Sequence, residues 1–154
     1  MKIKNITITD IGGIQSLSLD FDDRMNIISG PNSIGKTTVL ECIGHIFSNG
    51  NTQILKKRAG TISGRVSGHV LIDGKEYDTA LKIDTFEPSK ISSLLTLYQY
   101  SDKLLVLKSA RTWGYQSLTA IHPDKTRTIG NNSQYAQHGI NSTEVKAWLV
   151  NRFL

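Results

Sequence analysis

Residues 30–37 constrain this chain more than any other stretch. They read Gly30-Pro31-Asn32-Ser33-Ile34-Gly35-Lys36-Thr37, an instance of the pattern G-x-x-x-x-G-K-[ST]. The spacing has a physical cause. A short apolar strand must end in a loop tight enough for successive backbone N–H groups to converge on one phosphate. Gly30 and Gly35 permit the torsion angles and close approach that a Cβ would block. A helix opening near Lys36 then turns its positive end toward the same phosphates. The Lys36 ammonium can reach β- and γ-phosphates, the Thr37 hydroxyl can ligate Mg²⁺, and Thr38 can donate to the α-phosphate. Gly30, Pro31, Asn32, Ser33, Ile34, Gly35, Lys36, Thr37 and Thr38 thus read as a nucleotide-phosphate site.

The flanking pattern agrees with an α/β chain. Ile3–Thr9 and Gln15–Phe21 alternate apolar with polar and read as strands, separated by the turn Asp10-Ile11-Gly12-Gly13. Met25–Ser29 reads as a short apolar strand running into Gly30. Lys36–Phe47 has helical spacing, with Val39, Leu40, Ile43, Ile46 and Phe47 on one face. Residues 51–65 look basic and irregular. Gly64–Ile72 and Glu76–Ile83 flank Asp73-Gly74, a strong hairpin signal. Leu94–Tyr100 and Leu104–Leu107 are further apolar segments, the second read as a strand, and Ala110–Gly139 is polar and read as loop. Asn141-Ser142-Thr143-Glu144 resembles a capping box, opening a helix with Val145, Trp148, Leu149 and Phe153 on one side. That pattern stops at Leu154 without a cap, as in one piece of a longer chain.

Composition narrows the class. The 154 residues are 38% apolar and 20% charged, with one cysteine and a formal charge of +5. One cysteine excludes an internal disulfide framework and points to a reducing cytoplasm. No apolar run is long enough to cross a membrane as a helix. The basic balance, with pI near 9.4, leans toward anionic partners.

A hydrolytic site would also need a Walker B strand, about four apolar residues ending in an acid. Val70-Leu71-Ile72-Asp73 comes close, but Gly74 follows and a turn is the better reading. Leu81-Lys82-Ile83-Asp84 is interrupted by a lysine. Cys42 reads as a small packing residue, and His45, His69, His122 and His138 lack metal-ligand spacing. Lys56-Lys57-Arg58 with Arg65 reads as a solvated basic loop, with a DNA backbone as the alternative. Arg111, Trp113 and Tyr115 read as half-buried packing ahead of base stacking.

The opening strands with Ile27-Ile28-Ser29-Gly30-Pro31-Asn32-Ser33-Ile34-Gly35-Lys36-Thr37-Thr38-Val39-Leu40-Glu41-Cys42-Ile43 resemble the N-terminal lobe of ABC-type ATPases. The nearer kin are the structural-maintenance-of-chromosomes, RecF and OLD (overcoming lysogenization defect) branch, including AAA-like ATPases of prokaryotic defence. The match is strong over roughly the first 50 residues. It implies a P-loop NTPase lobe with a mixed sheet plus an antiparallel portion, residues 1–154 forming a single N-terminal lobe. It further implies Mg-ATP as ligand and a homodimer or larger assembly. Work on DNA, repair or anti-phage defence follows from the same likeness, with DNA or a nuclease effector as partner and no membrane. Asn32 would sit near the γ-phosphate. Ser33 stands where the usual residue is glycine, and Gly12 where many relatives carry arginine. Walker B, the signature helix and the switch histidine lie later in such chains. Two other classes remain open: a non-catalytic nucleotide-sensing subunit, and a self-contained small kinase or GTPase. Against the last, two strands precede the loop and no Asn-Lys-x-Asp guanine reader occurs.

Overall fold

In a computed structural model the structure describes residues 1–48, 51–52, 54–84, 86, 89–90, 96–107, 128–130 and 149–150. Its frame is one four-stranded sheet in the order β2-β1-β4-β5, built from β1 (Lys2–Ile11), β2 (Ile14–Asp20), β4 (Gly64–Ile72) and β5 (Lys75–Ile83). Every pairing in it is antiparallel. Between β2 and β4 come helix α1 (Lys36–His45) and β3 (Asn51–Thr52); β6 (Ser89–Lys90) pairs with β3, and a 3₁₀ helix spans Thr96–Lys103. No helix among the described residues is long and apolar enough to cross a membrane.

Period-two patterning decides which face is buried. Ile6, Ile8, Val66, Val70, Ile72, Leu81 and Ile83 point inward, where Val39, Cys42, Ile46, Phe47 and Leu97 complete one core. Gly68 lets α1 come close, since a Cβ there would meet Ile46 Cδ1 at 3.2 Å. Ser16, Ser18, Thr7, Thr9, Arg65, Ser67 and His69 occupy the opposite face, and this antiparallel sheet turns that face to water. The β4–β5 hairpin forms as expected. Asp73 (φ 50°) and Gly74 (φ 81°) both take positive φ, the mark of a type I′ turn.

Five expectations need correction. Met25–Ser29 forms no strand: Met25 is 81% and Ile27 82% exposed, and among the described residues no strand lies beside them. A strand exists only through its ladder partners, so β-favouring residues alone do not make one. For the same reason the sheet is antiparallel throughout the described residues and not mixed. Leu104–Leu107 is irregular, with Leu105 and Leu107 both exposed. Helix α1 stops at His45, and Leu40 faces solvent while Cys42 and His45 take its place inside. Asn51 and Thr52, read as irregular, pair with Lys90 and Ser89. Of the expected C-terminal helix, Leu149 and Val150 are described and helical. Arg111, Trp113, Tyr115, His122 and His138 lie outside the described residues.

Candidate functional site

The glycine-rich loop is reached through a closed turn. The Asp22 amide donates to Asn26 Oδ1 at 2.8 Å, and Asn26 Nδ2 donates to the Asp22 carbonyl at 3.1 Å. Residues 25–29 then run without regular structure into Gly30 (φ 152°). Ser33 (φ 66°) and Gly35 (φ 105°) also hold positive φ, so three of six loop residues from 30 to 35 need conformations that L side chains resist. Gly35 is doubly constrained. It is the N-cap of α1, and a Cβ there would come within 3.2 Å of Ile14 Cγ1. The Ser33 torsion gives a physical reason why glycine is the usual residue at that place.

Helix α1 opens at Lys36 with no side-chain cap and no acidic residue in its first turn. Its first intrahelical bond on the ladder runs from the Val39 amide to the Gly35 carbonyl at 3.0 Å. The amides before it have no acceptor within the helix, and the helix dipole puts positive charge at that end. Lys36 folds back over the loop, its ammonium donating to the Gly30 carbonyl at 2.7 Å and the Pro31 carbonyl at 2.6 Å. Thr37 is exposed and Thr38 half-buried. Backbone amides, one ammonium and two hydroxyls thus meet at a single helix end. That donor set suits a multiply charged anion with many oxygens, and the hydroxyl of Thr37 is free of burial to serve a hard cation.

The β1–β2 turn borders this site. Gly12 (φ 56°) lies against Thr38, whose Cγ2 would be 3.7 Å from a Cβ on the glycine. The Gly12 amide donates to the Lys56 carbonyl at 2.9 Å, and the Arg58 amide to the Asp10 carbonyl at 2.8 Å. The basic run 56–58 is therefore tied by backbone bonds to the end of β1, with Lys56 exposed and Lys57 and Arg58 half-buried. Lys57 also stacks over the Phe86 ring at 5.1 Å.

The two acids weighed as Walker B candidates are engaged elsewhere. Asp73 lies in the hairpin turn with its carboxylate on Lys103 Nζ at 2.7 and 2.9 Å, and this hydrogen bond holds it below the usual carboxylate range. Asp84 pairs with Lys82 at 3.0 Å. Among the described residues no His, Cys, Asp and Glu cluster could hold a metal by itself. Cys42 is fully buried, and burial pushes its thiol up to about 12, as befits a packing residue. Sequence reasoning missed Ile14 behind Gly35 and His45 in the core, where its Nδ1 lies 2.7 Å from the Glu41 carbonyl. The spacing of Val39, Cys42, Ile46 and His45 on α1 was the signal available for the second.

A tight loop with three positive torsions, a lysine turned onto it and an uncapped helix behind it thus stand together at one end of α1. Residues 1–150 match the AAA ATPase domain family, and the chain belongs to it. It is also 32% identical over 165 residues to Septu protein PtuA of Bacillus thuringiensis, an alignment covering 99% of this chain and 39% of that protein. The chain therefore spans about two-fifths of the length of that relative. The resemblance carried by residues 27–43 is borne out: this is an AAA-like ATPase domain.

Proposed function

We propose that Gly30, Pro31, Asn32, Ser33, Ile34, Gly35, Lys36, Thr37 and Thr38 bind Mg-ATP for a defence ATPase of which residues 1–154 form the N-terminal lobe. The observation that carries this reading is the convergence of the Lys36 ammonium and the uncapped start of α1 on one loop. Lys36 would exchange its two loop carbonyls for β- and γ-phosphate oxygens. The amides of residues 35–38 would donate to phosphate oxygens, and Asn32 would lie toward the γ-phosphate. Thr37 would hold Mg²⁺, which when bound neutralises charge between the β- and γ-phosphates. Gly12, facing Thr38, leaves room beside the first turn of α1.

The lobe assignment draws on two facts. Met25 and Ile27 expose apolar surface directly ahead of the loop, and PtuA is much longer than this chain. A further lobe laid along residues 25–29 would cover them and bring the general acid–base and signature groups. The likeness to PtuA and to the OLD branch supports anti-phage work in a homodimer or larger assembly with a nuclease or other effector, in the cytoplasm. A sensing subunit that binds without turnover is the second reading, favoured by the engagement of Asp73 and Asp84 in ion pairs.

Sedimentation of the complete protein with and without Mg-ATP tests the proposal. Wild type gains mass with nucleotide, and Lys36→Ala stays at its nucleotide-free mass. A mass independent of Mg-ATP, or a Lys36→Ala protein that assembles like wild type, overturns it.

A further inference from the structure

The register of the four-stranded sheet lays out its water-facing side as a grid. Across β1, β4 and β5 one row reads Thr9, Arg65 and Lys82, the next Thr7, Ser67 and Ala80, and the third Asn5, His69 and Asp78. Long side chains thus flank a row of short ones. The result is a trough of about 360 Å³, lined chiefly by Asn5, Arg65, Ser67, His69, Asp78 and Ala80. That volume lies near the lower end of the range for small-ligand sites. The two walls differ in charge. Lys82 is engaged by Asp84 at 3.0 Å, whereas Arg65 is exposed and has no ion-pair or hydrogen-bond partner among the described residues. Opposite, Asp78 accepts from His69 Nδ1 at 2.7 Å and Glu76 lies 3.7 Å from His69 Nε2. One imidazole against two carboxylates leaves that wall anionic, and the Asp78 side chain is 90% exposed. Between the walls the Asn5 amide and the Ser67 hydroxyl are half-buried and make no side-chain hydrogen bond among the described residues.

We propose that this trough binds a short zwitterion of the di- or tripeptide class, with its carboxylate on Arg65 and its ammonium on Asp78. Guanidinium and carboxylate match through two parallel N–H···O bonds. Asn5 and Ser67 offer both donors and acceptors, which is what a peptide bond between those ends requires. The length also fits. Arg65 and His69 are four residues apart, about 13 Å along β4. The reach of the two side chains shortens that gap to two or three extended residues, at about 3.3–3.6 Å each. Opposed charge on the two walls orients such a ligand and disfavours one that carries a single sign. The trough lies on the side of the sheet away from α1, and none of its residues belongs to the loop 30–38. The proposal therefore stands apart from the nucleotide reading.

The test is titration of the protein with triglycine, followed by its amide NMR shifts. Triglycine should shift the amides of Ser67, His69, Asp78 and Ala80 saturably. N-acetyl-triglycine lacks the ammonium and triglycinamide lacks the carboxylate. Each should bind about three- to tenfold more weakly, as expected for one charge-assisted contact at a partly exposed site. Arg65→Ala should bind triglycine and triglycinamide equally, and Asp78→Asn should bind triglycine and its N-acetyl form equally. Ala80→Leu fills the floor without touching either charge, and should abolish the shifts while its Tm stays near that of wild type. Equal binding of all three peptides by wild type, or a charge preference that survives its own variant, overturns the proposal. So does unimpaired binding by Ala80→Leu, a set of shifts confined to residues 30–38, or the lack of any saturable shift. Mg-ATP titration of Ala80→Leu should match wild type, so a failure here leaves the loop assignment separately measurable.

Discussion

Ile6 and Ile27 are the same residue in stretches of similar β preference, yet Ile6 is fully buried and Ile27 is 82% exposed. Ile6 sits in β1 between β2 and β4, with Leu19 and Gly68 as its register partners. Ile27 follows a closed turn and meets no ladder on either side among the described residues. The difference lies in the neighbours and not in the residue. Burial of apolar area stabilises only where a second surface removes it from water. The same contrast separates Leu81, inside, from Leu105 and Leu107, outside.

Substitutions can break that comparison. The largest effect is expected where two strands approach most closely. A Cβ at Gly64 would lie 2.4 Å from the Asp10 carbonyl oxygen and 2.5 Å from Ile11 Cδ1. Gly64→Ala should cost about 3 kcal/mol or more in urea unfolding, because backbone must move. Gly13→Ala, with nothing within 4 Å of the new Cβ, should leave the midpoint close to wild type. Next comes the isoleucine pair itself. Ile6→Ala should destabilise by about 3 kcal/mol and Ile27→Ala by less than about 0.5, measured by the same unfolding curves. Equal costs would mean that residues 25–29 are packed and the contrast is wrong.

Smaller effects sharpen the picture. Ser33→Gly relieves a left-handed torsion while loosening the unfolded chain. The net result should be a gain of up to about 1 kcal/mol, read as a higher Tm. The smallest concerns His69, whose imidazole is raised above 6.5, chiefly by the hydrogen bond to Asp78. A raised folded value makes the contribution fully present below 6.5 and lost as pH climbs through the folded pKa. Tm of wild type should therefore fall slightly between about pH 6 and 8, and Asp78→Asn should flatten that fall.

Much of this was legible in the residues. The hairpin could be read from Asp73-Gly74, because Asp-Gly suits the two positive torsions of a type I′ turn, which Asp73 and Gly74 adopt. Strands β1 and β2 could be read from their alternation, and the loop from the spacing of Gly30, Gly35 and Lys36. Three things were not legible. Residues 25–29 carry a strand pattern whose partners a local pattern cannot supply. Leu40 and Cys42 differ in which side of α1 meets the sheet, a matter of docking angle and not of hydrophobicity. The tie from Lys56 and Arg58 to β1 consists of backbone bonds, which leave no trace in side-chain type. At the site, sequence named the loop residues but not Ile14, which lies behind Gly35 and comes from a different strand.

Calorimetric titration of the chain with Mg-ATP, wild type beside Lys36→Ala, bears most directly on the central claim. The account predicts saturable binding by wild type and a loss of at least about 100-fold in the variant, roughly 2.7 kcal/mol, with the unfolding midpoint preserved. Equal affinities in the two proteins, or no binding by a folded wild type, would contradict it.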